Sequence, residues 1–321
     1  MNDYLWDGSG RPEPEIDALE RTLAPLRFPP GKHPLQFPRS SRQSIPYAAF
    51  AASIVLGLVA WQLFPSNPPQ LTAWTLSEDG DAAAVRKVLI GERLKTGESS
   101  RLDLESDAFG RIEIQPDSEM RFLESAAGRQ RIELKHGRIH AFIWAPPQHF
   151  IVDTPSATAV DLGCQYELSV DRLGNGFLTV QNGWVAFQLG DIESFIPAGA
   201  ACRTSPAGGP GSPFFEDASA TFRNALAEFE RSGERKMLEQ VLAESRPRDG
   251  LTLWHLLARL GETERAAVFD RFAQLVPLPA GVVRDNAIAR DRATLDLCWN
   301  ALDLDSTDWW RTWKREWHGR R

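Results

Sequence analysis

Cysteine is scarce: Cys164, Cys202 and Cys298 are the three in 321 residues. None stands in the close pairs that zinc-binding ribbons use, and an odd number leaves at least one thiol unpaired within the chain. Catalytic signatures are missing as well. There is no H-E-x-x-H, no G-x-S-x-G and no phosphate-binding loop, because the segment from Gly91 to Gly97 lacks a following Lys-Ser/Thr. His136, His140 and His149 are near one another, but the first two straddle an expected hairpin turn rather than sharing a helix face, a poor arrangement for a metal. A thiol nucleophile built from Cys164, His149 and Asp153 is arithmetically possible, since such groups meet in space rather than in sequence. The net charge of −7 gives no basic footprint for DNA or RNA. The chain is therefore read as a non-enzyme without a cofactor or a nucleic-acid partner.

Charge is also absent from Tyr47 to Phe64, eighteen residues fenced by Pro46 and Pro65. At about 1.5 Å per helical residue this stretch spans roughly 27 Å, close to the ~30 Å hydrocarbon core of a bilayer. Tyr47 and Trp61 fall near its ends, where amphipathic rings prefer the lipid interface. Forty-six residues precede it, and Leu58 and Ala60 make a poor cleavage site, so it reads as an uncleaved signal anchor in contact with membrane lipid. The flanks set its direction. Arg21, Arg27, Lys32, Arg39 and Arg42 precede it with no acid among them, whereas Pro65 to Val85 holds Glu78, Asp79 and Asp81 and no base. Positive charge stays inside, which predicts a cytoplasmic N-terminus and export of everything after Pro65.

Residues 1–46 form a tail with one expected helix. Glu13, Glu15 and Asp17 suit a helix N-terminus, and Ile16, Leu19, Leu23 and Leu26 recur at i, i+3, i+7 and i+10. So short a helix cannot bury that apolar stripe alone: it lies on the membrane surface, frays, or docks on a cytoplasmic partner, which makes the stripe a candidate partner-binding surface. Alternation at period two sets in at Leu71 and lasts to about Arg203. Residues 65–85, proline-rich at their start, are assigned to a spacer, and 86–206 to an all-β domain built as a stack of hairpins. Leu134–Ile139 and Val180–Val185 both read apolar-x-x-Gly-x-β-branched, and Asn182-Gly183 predicts a two-residue hairpin turn. Residues 207–213 (A-G-G-P-G-S-P) read as a hinge. From Phe214 the period turns helical, predicting a bundle of five or six helices over 214–321; Trp309, Trp313 and Trp317 either pack against it or form a platform for a carbohydrate or a partner. The expected fold class is thus α+β multidomain: a short cytoplasmic helix, one transmembrane helix over 47–64, an all-β domain and a C-terminal α-helical bundle.

Cys164 and Cys202 both follow expected strands of one exported domain. They are read either as a disulfide, closing a loop worth roughly 3–4 kcal/mol in the chain-entropy model, or as free buried thiols. Cys298, beside Trp299 on an apolar helix face, reads as a core residue.

The β region resembles the FecR family. Gly91-Glu-Arg-Leu-Lys-Thr-Gly97, Gly110-Arg-Ile-Glu-Ile and Ile132-Glu-Leu-Lys-His-Gly-Arg-Ile139 carry the likeness, followed by Thr154-Pro155 through Gly163 to Tyr166, and Val180-Gln-Asn-Gly183. Gly97, Gly110, Gly137, Thr154, Pro155, Gly163, Tyr166 and Gly183 are the motif positions. Where the family usually has Gly-Thr-x-Phe, this chain has Gly-Cys-Gln-Tyr. The resemblance implies signal transduction across a bacterial inner membrane: an exported sensor for a periplasmic signal or partner, one helix, and a cytoplasmic arm (here residues 1–46) that contacts a sigma factor. An anchored scaffold that binds glycan or protein, with no role in transcription, is the alternative.

Overall fold

The computed structural model describes residues 14–23, 71–78, 85–126 and 128–304. The chain divides into two compact units, 1–66 and 67–321. In the first unit, helix α1 (Pro14–Leu23) begins on a proline, whose missing N–H costs nothing in a first turn, and ends with Arg21 in its last turn. Ile16 and Leu19 lie within α1, Leu23 at its end is half-exposed, and Leu26 lies outside the described residues. The stretch 47–64 also lies outside them. Among the described residues, no helix is long and apolar enough to cross a membrane.

The second unit is built on two sheets that share one strand. One sheet runs β2 (Arg86–Leu89), β1 (Leu71–Glu78), β4 (Leu102–Ser106) and β5 (Gly110–Ile114) to β7 (Arg129–Ile143). It continues through β10 (Gln165–Val170) and β11 (Gly176–Asn182) to β14 (Ala200–Ser205), which carries β15 (Gly209–Pro210) and β16 (Phe214–Phe215). The other sheet runs β3 (Arg93–Lys95), β6 (Glu119–Ala126), β7, β8 (Phe150–Asp153), β9 (Thr158–Asp161), β12 (Trp184–Leu189) and β13 (Ile192–Pro197). The first half of β7 belongs to the second sheet and its last half to the first. Inner faces of the two sheets meet at Trp74, fully buried, whose ring lies 6.2 Å from Phe109, 6.3 Å from Phe122 and 5.9 Å from Phe150.

Trp74 corrects one expected boundary. Residues 65–85 do not all serve as a spacer, because β1 puts Thr72, Trp74 and Leu76 into the core at period two. The two glycine segments also depart from expectation. Gly137 is not a hairpin turn: β7 runs through it without reversing and changes sheets there. Nor do the strands on either side of Asn182-Gly183 pair with each other; β11 pairs with β10 and β14, and β12 with β9 and β13. Gly183 is a corner between sheets. Both positions require glycine. At φ +105° a Cβ on Gly137 would lie 2.4 Å from Ser118 Cα, and at φ +73° one on Gly183 would lie 2.0 Å from the Gly163 carbonyl oxygen.

The helical part comprises α2 (Ala220–Ser232), α3 (Arg235–Glu244), α4 (Gly250–Arg259), α5 (Glu262–Leu275), α6 (Arg284–Ile288) and α7 (Arg292–Asn300). Ser219 caps α2, its hydroxyl accepting from Phe222 N at 3.0 Å, and Gly233 ends it in a left-handed conformation. These helices do not stand apart from the sheets. Buried α4 lies against β13: His255 Nε2 accepts from Phe195 N at 3.1 Å, while its Nδ1 sits 2.8 Å from Leu251 O, which fixes Nδ1 as the protonated nitrogen. The rings of Trp184, Phe195, Trp254 and Trp299 join β12 and β13 to α4 and α7. Residues 207–213 are correspondingly not a free hinge. Gly209–Pro210 forms β15 on β14, Ser212 is buried, and Pro213 O accepts from Thr252 Oγ1 at 2.7 Å. Glycine and proline here serve a tight path, not mobility. The tail holding Trp309, Trp313 and Trp317 lies outside the described residues.

Candidate functional site

The motif from Thr154 to Tyr166 is held by a series of polar contacts. Between β8 and β9, Thr154 closes a turn on itself. Its Oγ1 donates to Ala157 O at 2.7 Å and accepts from Ala157 N at 3.0 Å, while Thr154 N donates to the same carbonyl at 2.8 Å. Pro155 occupies the second position of that turn, where its fixed φ suits it, and Ser156 Oγ meets Thr204 Oγ1 of β14 at 2.5 Å.

At the end of β9, Asp161 is buried and accepts twice: from Gly163 N at 2.7 Å and from Cys164 Sγ at 2.6 Å. Burial pushes its carboxyl up to about 7, against the hydrogen bonds from Cys164 and Gly163, which pull it down. Burial and the Asp161 charge both push the Cys164 thiol well above its ordinary range. Tyr166, fully enclosed, is raised for the same reasons. Thus Cys164 is a protonated thiol that donates a hydrogen bond.

This geometry decides the cysteine alternatives. All three thiols are free and buried. Cys202 faces Leu178, which faces Leu168, four residues along β10 from Cys164. Two strand spacings and four residues separate them by about 16 Å, beyond the ~7 Å limit for bridging. The disulfide is corrected to two separate thiols, and Cys202 Sγ instead donates to Gly211 O at 3.2 Å. Cys298 is a core residue, fully buried.

Of the arithmetically possible Cys164–His149–Asp153 set, Cys164 is committed to Asp161. Asp153 is held by Arg131 (2.5 and 2.9 Å) and by Thr158 Oγ1 at 2.9 Å. His136 Nδ1 lies 3.1 Å from Asp117 O, and His140 Nε2 pairs with Glu167 at 2.9 Å across the β7–β10 register. Among the described residues, no group of three or more His, Cys, Asp or Glu is placed to hold a metal.

The remaining motif glycines lie at turns and close approaches. A Cβ on Gly110 would fall 2.2 Å from Phe142 O, and Gly97 N donates to Ser100 Oγ at 2.7 Å. The motif glycines therefore shape turns and sheet corners, and Tyr166 fills the core. Residues 92–186 match the family described as FecR protein.

The chain carries a FecR domain. Two crystal structures of a candidate anti-sigma factor from Parabacteroides distasonis ATCC 8503, at 1.65 and 2.50 Å resolution, are similar to this chain at 14% identity with a TM-score of 0.34. The likeness covers 42% of this chain and 63% of that one, a little under two-thirds of the relative's length. Comparison with curated proteins finds no match. Within the FecR domain, the Cys164 thiol donates to Asp161. The family match begins at Glu92, so strands β1 and β2, which complete the first sheet, lie outside it. Sequence reasoning missed Asp161 and Trp74. Asp161 stood two residues before the motif glycine, and a lone acid inside an apolar strand was the available signal.

Proposed function

We propose that the chain is a FecR-type regulator of the anti-sigma class. It is anchored in a bacterial inner membrane by Tyr47–Phe64, exposes its FecR domain to the periplasm and offers residues 1–46 to a sigma factor. The match of residues 92–186 to the FecR family carries this reading. Two features of the sequence support it: the uncharged stretch between basic and acidic flanks, and the apolar stripe of α1. Leu23, half-exposed at the end of α1, is available to a partner. In this reading the exported unit responds to a periplasmic signal or partner, and the response reaches the tail through proteolysis or a change in oligomerisation, since a single helix transmits rigid motion poorly.

The test is affinity purification of the full-length tagged chain from detergent-solubilised membranes. Enrichment of one of the cell's alternative sigma factors, lost on Leu23→Asp, is expected. Recovery of no sigma factor above an untagged control rejects the reading.

A further inference from the structure

Where the FecR domain meets the helices, a cavity of about 650 Å³ opens, well within the ~300–1,000 Å³ usual for small-molecule sites. Phe177, Ile192, Pro210, Leu256 and Leu260 give it apolar walls. The segment 208–212, read from sequence as a hinge, forms one side.

Most polar groups on its surface are already committed. Arg259 donates to Pro210 O at 3.0 Å, Glu193 O at 2.7 Å and Ser194 Oγ at 2.6 Å. Asp171 accepts from Leu173 N, Asn175 N and Asn175 Nδ2. Thr204 is taken by Ser156, and Ser205 by Gly208 N.

Two groups of opposite charge keep hydrogen-bonding capacity to spare. Arg203 lies over Phe214 (4.7 Å to the ring centre) and Phe177 (5.6 Å), and its Nη1 is buried without a hydrogen-bond partner. Glu230 is exposed and lines the cavity. Its Oε1 accepts from Ser212 N at 2.5 Å, and its Oε2 lies 2.6 Å from where a Cβ on Gly211 would fall, so glycine at 211 is what leaves the carboxyl its room. Glu230 feels Arg259 and, less strongly, Arg203, and forms an ion pair with neither among the described residues. Desolvation is the largest influence on both, raising Glu230 and lowering Arg203. A guanidinium and a carboxylate held apart in an apolar cavity are complementary to a molecule that carries an acceptor and a donor on an apolar body.

We propose that this cavity binds a short apolar zwitterion, an amino acid or dipeptide with aliphatic side chains, its carboxylate on Arg203, its ammonium on Glu230 and its side chains against Phe177, Leu256 and Leu260. This goes beyond the sigma-factor reading and stands whether or not residues 1–46 meet such a partner.

The experiment is calorimetric titration of the full-length chain in detergent with Leu-Leu, N-acetyl-Leu-Leu, Leu-Leu-amide and octanoate. Saturable one-to-one binding of Leu-Leu is expected, with affinity at least tenfold weaker once the ammonium or the carboxylate is blocked. Ala227→Trp, which fills the cavity, abolishes binding, and Glu230→Gln narrows the gap between Leu-Leu and its N-acetyl form. The proposal is overturned if Leu-Leu does not bind, if blocking either end leaves affinity unchanged, or if octanoate binds as well as the dipeptide. The blocked ligands report on the intact protein, so the result does not depend on any variant folding.

Discussion

At the residue scale, glycine and aspartate carry the most specific consequences. Gly163 and Gly183 both sit at positive φ, but a Cβ on Gly163 meets nothing within 4 Å, whereas one on Gly183 runs into the Gly163 carbonyl. Gly163→Ala should therefore cost about 1–2 kcal/mol, the penalty of a left-handed backbone alone. Gly183→Ala should cost clearly more, because backbone must shift. Urea unfolding of the two variants measures the difference; equal costs contradict the corner geometry. Asp161 gives a pH dependence. Its folded-state value of about 7 lies above the ordinary 3.8, so the folded chain holds this proton longer than the unfolded one. Stability from this group falls as pH rises through that window and is flat above it. Relative to wild type, Asp161→Asn should gain stability between about pH 4 and pH 7, by at most about 1.4 kcal/mol per pH unit. Parallel melting curves, with a difference that does not change with pH, would show that Asp161 is not the buried acid described. The sequence named Gly137, Gly163 and Gly183 but mistook two of them for hairpin turns. Positive φ is a local demand that Asn-Gly makes visible, whereas the partner of the strand that follows is set by the other sheet.

At the element scale, β1 separates the two readings of residues 65–85. A spacer tolerates change, but Trp74 is fully buried among three phenylalanines. Trp74→Ala should destabilise the unit by about 3–5 kcal/mol, read as a lowered urea midpoint with unchanged slope. A change under about 1 kcal/mol returns β1 to the spacer. The helices were the legible part. Phe222, Ala225, Leu226 and Phe229 on α2, and Leu238 and Val241 on α3, are buried as their helical spacing indicates. What spacing could not give was the surface they bury against. Gly-Pro composition suggested a hinge, yet Arg259 and His255 reach from α4 to β13 and β15 backbone, in bonds between residues 49 to 66 apart in sequence. The same blindness hid the cavity, whose walls come from β11, β13, β14, α2 and α4 together.

At the scale of the whole molecule, the proposed regulator would couple the FecR domain to the tail 1–46 through the uncharged stretch Tyr47–Phe64. The two compact units, 1–66 and 67–321, divide at the end of that apolar stretch. Its charge asymmetry, bases before Pro46 and acids after Pro65, makes the direction a physical claim rather than an analogy. The most direct test fuses alkaline phosphatase and, separately, green fluorescent protein to Arg321 of the full chain in a bacterial cell. Active phosphatase with dark fluorescent protein, both in the membrane fraction, is the predicted result. Bright fluorescence with inactive phosphatase would place the FecR domain in the cytoplasm and contradict the account.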